Sequence, residues 1–183
     1  MSLLDSVYPP ATMDRMRTFV HIPAAEIERR RRLGIDGRDE VWAGGYRVIP
    51  PPSLAHQCVG EQLSTLLAAP ARAAGLRALI REFGIGAPND FRVPDGGLLR
   101  GELDGVWQPT AALVLEILSP RDETWQKLAF YAAHGVQELL IVDPRKRTVK
   151  WLALGEVGYE PVERSGLIEM GAAELAGLID WPS

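Results

Sequence analysis

Residues 111–143 read AALVLEILSPRDETWQKLAFYAAHGVQELLIVD. An almost continuous apolar run at 111–118 is stopped by Ser119-Pro120, and a second run at 137–143 is stopped by Asp143-Pro144. Runs of this kind mark strands covered on both faces. Between them, 122–134 has helical period, with Leu128, Tyr131 and Ala132 on the inward stripe and Gly135 to close it. Strand, helix, strand in this order is a right-handed crossover between parallel neighbours. The chain is therefore an α/β protein, with a mixed sheet carrying helices on both faces.

Working toward the N-terminus, 91–99 and 76–83 have strand character, and before them 54–67 reads as a helix. Ser53 suits its N-cap, Val59, Leu63, Leu66 and Leu67 form its apolar stripe, and Pro70 and Gly75 close the segment. Glu40-Val-Trp-Ala and Tyr46-Arg-Val-Ile flank Gly44-Gly45, which predicts a β-hairpin ended by Pro50-Pro51-Pro52. Pro23 and Gly34 bracket a short helix, because proline suits the first helical position and glycine the position past the end. Residues 1–22 read as an irregular arm ahead of a single domain over 23–183. Toward the C-terminus, TVKWLAL at 148–154, a strand at 159–163 and a short helix at 172–178 extend the unit. From 54 to 143 the order is helix, three strands, helix, strand.

Composition narrows the class. The chain has 183 residues, 46% hydrophobic and 24% charged, close to the average of a globular domain. One cysteine, Cys58, and three scattered histidines leave no internal disulfide and no structural zinc site. No apolar run is long enough to span a bilayer and the N-terminus lacks a secretion-signal pattern, so the expectation is a cytoplasmic protein with no membrane partner. The formal charge of −4 argues weakly against nucleic acid. It is unevenly spread: residues 151–183 carry Arg164 against six acids, while basic residues cluster at 29–32 and 145–150. Each basic cluster read alone is an ordinary solvated face or turn.

The residue that breaks the apolar pattern is Glu116. A lone carboxylate in a buried strand costs several kcal/mol unless it is paired or bound to a cation. Strand alternation points it away from the face packed by Leu115 and Ile117. Asp95, in RVPDGGLL, is a second acid on a strand, introduced by Pro94. If the two strands are neighbours, the carboxylates converge, and carboxylates completed by water suit Mg²⁺. Lys127 lies eleven residues after Glu116, on the helix that folds back over that strand, with Tyr131 one turn further on the same face. Two acids with a lysine can bind a divalent cation, orient water and neutralise charge on a phosphodiester. Each residue also has a plainer reading: Asp95 as a turn residue before Gly96-Gly97, Glu116 as the partner of an arginine, and Lys127 as the i,i+4 partner of Glu123.

The stretches RRLGIDGRDEVWAGGYRVIPPPSLAHQ, RVPD and LVLEILSPRDETWQKLAFYAAHGVQELLIVDPRKRTVKWLAL together resemble the Uma-type endonuclease family, a branch of the PD-(D/E)XK superfamily. The resemblance runs from about residue 30 to 154 and rests on the ordered series Glu40, His56, Pro94-Asp95, Glu116, Lys127, Tyr131 and Asp143-Pro144. It implies a restriction-endonuclease-like αβββαβ core, with an N-terminal helix and β-hairpin and a C-terminal β extension added to it. It also implies Mg²⁺-dependent hydrolysis of phosphodiesters in DNA, with Mn²⁺ able to substitute. Asp95 and Glu116 match the metal-binding acids. Two residues after Glu116, where the superfamily has its lysine, stands Leu118. Lys127 fits a lysine relocated to the next helix.

By the same resemblance Glu40 completes the metal shell or orients Lys127, and His56 contacts phosphate or moves a proton. Either Asp122 or Glu123 matches an acid near the helix start. Leu118 and the net negative charge support a second reading, a nuclease fold that has lost its chemistry and serves as a nucleic-acid-binding or assembly module. Nucleases that cut both strands often act as homodimers, and the 148–154 strand would offer an edge for pairing with a second copy.

Overall fold

The computed structural model describes residues 22–80, 83–101, 104–120 and 123–182. The arm expected at 1–22 lies, except for its last residue, outside the described residues. In chain order the elements are α1 (Ala24–Leu33), β1 (Glu40–Trp42), β2 (Gly45–Arg47), α2 (Leu54–Ala73), β3 (Arg77–Leu79), β4 (Gly84–Ala87), β5 (Asp90–Arg92) and β6 (Gly96–Leu99). They continue as β7 (Trp107–Gln108), β8 (Leu113–Ile117), α3 (Thr124–Ala133), β9 (Glu138–Asp143), β10 (Thr148–Leu154), β11 (Tyr159–Val162) and α4 (Ala172–Leu178).

The crossover unit forms as the sequence dictates. Strands β8 and β9 pair in parallel from Leu113↔Glu138 to Ile117↔Val142, joined by α3. They sit at the centre of a six-stranded mixed sheet ordered β11-β10-β9-β8-β6-β3. Leu113, Leu115 and Ile117 face one core cluster with Val59, Leu63 and Leu67 of α2. Val114 faces the other cluster, with Leu128 and Tyr131 of α3. Each strand is thus buried on both faces, which is why its sequence is apolar throughout. Helix α2, strands β3, β6 and β8, helix α3 and strand β9 reproduce the αβββαβ order.

Several expectations need correction. The segment 91–99 is two strands in two sheets: β5 joins a second, five-stranded sheet ordered β2-β1-β5-β4-β7, and β6 joins the first. Pro94, with no N–H to donate and a fixed φ, falls at the changeover. The Gly96-Gly97 pair is strand, not turn. A Cβ on Gly97 would lie 2.6 Å from the Leu113 carbonyl oxygen and 3.0 Å from the Phe83 ring, and one on Gly96 2.8 Å from Ile80. Glycine here lets β6 lie tightly between β3 and β8. Finally, β10 lies between β9 and β11, so 148–154 is no free edge and offers no pairing site for a second copy.

Helix α2 also continues through Pro70 to Ala73 and ends before Gly75, at φ 70°. Burial of Leu67 and Ala71 against the core outweighs the hydrogen bond that the proline removes. The hairpin turn falls at Ala43-Gly44, one residue earlier than expected, since both have positive φ, at 47° and 83°, and Trp42 pairs with Gly45. Among the described residues no helix is long and apolar enough to cross a membrane.

Candidate functional site

Pairing of β6 with β8 decides where the acids meet. The register Gly96↔Leu115 brings Asp95, one residue before β6, level with Glu116. Glu116 follows Val114 onto the α3 side of the sheet and is 3% exposed. Its Oε1 accepts hydrogen bonds from the Tyr131 hydroxyl at 2.5 Å and from Lys127 Nζ at 3.2 Å. Lys127 Nζ also lies 2.9 Å from Glu40 Oε1. Glu40 is fixed in turn by the Val93 N–H at 2.9 Å and the Trp42 indole N–H at 2.6 Å. The second oxygen of Glu116, Oε2, accepts no hydrogen bond from the described residues.

Asp95 is held from the other side. Its Oδ1 lies 2.7 Å from Arg38 Nη2 and 3.0 Å from His56 Nε2, and its Oδ2 accepts from the Ile117 N–H at 2.8 Å. His56 stands in the first turn of α2, where Ser53 Oγ caps its backbone N–H at 3.2 Å, and its Nδ1 is 3.2 Å from Ser119 Oγ. Glu40, Asp95, Glu116, Lys127, His56 and Arg38 all line one cleft of about 420 Å³, rimmed by Pro50-Pro51-Pro52, Ser119 and Pro120.

The two acids differ in charge state. Burial pushes the Glu116 carboxyl up to about 8; the Lys127 charge offsets part of this, while Asp95 and Glu40 add to it. Burial also works against ionised Asp95, but His56, Arg38 and the Ile117 N–H hold it below the usual carboxylate range. Burial lowers Lys127 as well, yet Glu116 and Glu40 outweigh it and keep the ammonium charged. The Tyr131 hydroxyl is raised, by burial and by the facing Glu116, and stays a donor.

A model of the Uma2 family, described as "Putative restriction endonuclease", matches residues 26–177. The chain belongs to the Uma2 family. No curated protein matches it. Among solved structures it is similar to one described as a "putative nuclease belonging to DUF820" from Anabaena variabilis ATCC 29413, at 18% identity. That match has a TM-score of 0.63 and covers 76% of this chain and 90% of the other. The fold is restriction-endonuclease-like.

In this Uma2 protein the five residues singled out from the sequence, Glu40, His56, Asp95, Glu116 and Lys127, share one cleft. The plainer reading of Lys127 does not hold, since it pairs with Glu40 and Glu116 while Glu123 takes Arg47 at 2.5 Å; Glu116 is the buried partner of a lysine and not of an arginine. Asp122 lies outside the described residues. The Asp143 carboxylate caps the following turn through the N–H groups of Arg145 and Lys146. None of the arginines at 29–32 lines the cleft; Arg30 instead pairs with buried Asp39 at 2.6 Å. Sequence reasoning missed Arg38, Ser119 and Trp42. The one available signal for Arg38 was its place two residues before Glu40, on the opposite wall from the lysine that Glu40 holds.

The donor set suits a hard divalent cation. Among the described residues no three His, Cys, Asp or Glu side chains form a closed metal cage. Two carboxylates and several waters are what Mg²⁺ takes, since it dehydrates reluctantly. Glu116 Oε2 has no hydrogen-bond partner among the described residues, and burial raises the carboxyl's affinity for a proton despite the Lys127 charge.

Proposed function

We propose that this protein is a Mg²⁺-dependent endonuclease that hydrolyses phosphodiester bonds in DNA. Family membership and fold support a nuclease; the carrying observation for the chemistry is that Lys127 and Glu116 from the crossover unit share a cleft with Asp95 of the neighbouring strand connection. Asp95 and Glu116 would hold the cation, with Mn²⁺ able to replace Mg²⁺. When bound, the cation lowers the pKa of a coordinated water and offsets charge on the phosphoryl oxygens.

The protein's own groups do the rest. Lys127, kept charged between Glu40 and Glu116, is a hydrogen-bond donor and not a base at neutral pH. It orients the attacking water and neutralises charge developing on the phosphorus centre. Water oxygen bonds to phosphorus as the opposite phosphorus–oxygen bond breaks; the attacking water gives up a proton to solvent and the leaving oxygen takes one up from it. Tyr131 fixes the Glu116 carboxyl by donating to Oε1. His56, held on both ring nitrogens, orients Asp95. The acidic surface makes DNA affinity modest and salt-sensitive. A cytoplasmic location accords with this role.

Supercoiled plasmid, incubated with the wild type and with Asp95→Ala and Lys127→Ala variants in Mg²⁺ and in EDTA, tests the reading. Nicking by the wild type in Mg²⁺ alone, reduced on the order of 10²–10³-fold in both variants, is expected. Wild-type protein that cuts no better than Asp95→Ala overturns it and leaves the non-catalytic reading, which Leu118 favours.

A further inference from the structure

Asp95 Oδ1 as observed cannot take a cation without losing a partner. Arg38 Nη2 and His56 Nε2 both lie against Oδ1, and the Ile117 N–H occupies Oδ2. A carboxylate oxygen offers two lone pairs, and on Oδ1 both are committed. The three partners differ in how firmly they are held. The Ile117 N–H belongs to the backbone of a central strand. The imidazole of His56 is fixed at its far nitrogen by Ser119, on a helix turn capped by Ser53. Arg38 reaches Asp95 on a long side chain from the turn before β1, and at 23% side-chain exposure against 10% for His56 it is the more open to solvent. It also lines the cleft.

We propose that Arg38 is a displaceable counter-ion: it neutralises Asp95 until a divalent cation arrives, and then swings within the same cleft to pair with the phosphodiester of the substrate. The inference rests on the nuclease reading and adds a role for a residue outside the acid–acid–lysine set. An arriving double charge removes the electrostatic reason for the guanidinium to stay at Asp95 and repels it. A guanidinium fork fits a phosphate as well as a carboxylate, so the released side chain has an anion of matching geometry to meet. Metal and substrate then favour each other's binding through one side chain. Without metal, Arg38 stays on Asp95 and the cleft presents one fewer free cation to DNA.

The experiment is a Mn²⁺ titration of the full-length chain followed by the electron paramagnetic resonance of free Mn²⁺, on wild type, Arg38→Gln, Arg38→Lys and Asp95→Asn, with KM for plasmid measured in Mg²⁺. Arg38→Gln is expected to bind Mn²⁺ about tenfold more tightly than wild type while its KM rises by a similar factor. Arg38→Lys falls between, and Asp95→Asn loses the site. Improved metal binding with impaired substrate binding is a pairing that general damage to the fold does not produce. If Arg38→Gln does not fold, Arg38→Lys carries the test: tighter Mn²⁺ binding than wild type supports the proposal, and equal or weaker binding overturns it. Equal or weaker Mn²⁺ binding in Arg38→Gln, with loss in Asp95→Asn, overturns the counter-ion role and leaves the nuclease reading standing. No Mn²⁺ binding in any variant, or binding that survives Asp95→Asn, overturns both.

Discussion

The two walls of the cleft carry one buried acid each and treat it in opposite ways. On the α3 wall, Glu116 is almost wholly buried, faces one lysine shared with Glu40, and is pushed up to about 8. On the α2 wall, Asp95 meets Arg38, His56 and a backbone N–H and is held below its usual range. Glu116 shares its one cation with a second carboxylate, whereas Asp95 has a guanidinium, an imidazole and a backbone N–H. The difference shows that carboxylates of similar intrinsic acidity acquire distinct roles from burial and from the count of cations each wall supplies. On the proposed reading, a cation binding both acids would compete with a proton at Glu116 and with a guanidinium at Asp95.

The largest effect that would break this asymmetry is removal of the single lysine. Lys127→Met leaves Glu40 and Glu116 facing each other in a buried place and is expected to cost about 3–5 kcal/mol by urea denaturation. Arg38→Gln on the other wall, where Asp95 keeps His56 and the Ile117 N–H, costs about 1–2 kcal/mol. Equal losses from the two substitutions would contradict the difference in charge supply.

The pH dependence sharpens the same contrast. Between its ordinary value of 4.5 and about 8, Glu116 binds more proton folded than unfolded, so its contribution to stability is present at low pH and lost as pH rises through about 8. Asp95 has the opposite sign: its contribution is present above its ordinary value of 3.8 and is lost as pH falls through the lower folded value. In EDTA, Glu116→Gln should therefore gain stability relative to wild type from pH 5 to pH 9, whereas the deficit of Asp95→Asn stays constant over that range. Parallel pH curves for Glu116→Gln and wild type would remove the case for a proton on Glu116.

Much of this contrast was readable before any coordinates. Glu116 stood out because it interrupted an apolar strand, its face followed from strand alternation, and Lys127 followed from the return of the crossover helix over that strand. Those are local or neighbouring relations, set by periods of two and 3.6 residues. The α2 wall was legible only in part. Asp95 and His56 were found, but not what holds them, because Arg38 reaches Asp95 across 57 residues and Ser119 reaches His56 across 63, both from loops with no period to betray them. The split of 91–99 into two sheets was hidden for a related reason: both halves alternate like strand, and only the proline between them marks the changeover.

The smallest effect concerns what braces the α3 wall. Trp42 lies between two guanidinium groups, Arg47 at 3.8 Å and Arg92 at 4.2 Å from its ring, and Arg92 continues onto Phe130 at 4.0 Å. This stack holds the indole whose N–H fixes Glu40. Trp42→Phe keeps an aromatic face but loses that donor, and should lower stability by about 1–2 kcal/mol while reducing nicking less than Lys127→Ala does. A loss of nicking as large as that of Lys127→Ala would give the stack a more direct part than bracing.

The central claim is that Asp95 and Glu116 together receive one divalent cation. Crystals of the full chain soaked in Mn²⁺, with anomalous diffraction recorded at the manganese edge, test it most directly. A single strong peak within reach of the Asp95 and Glu116 carboxylates, with the Arg38 side chain moved off Asp95, is expected. A peak elsewhere, or none while Arg38 remains paired with Asp95 at high Mn²⁺ concentration, would contradict it.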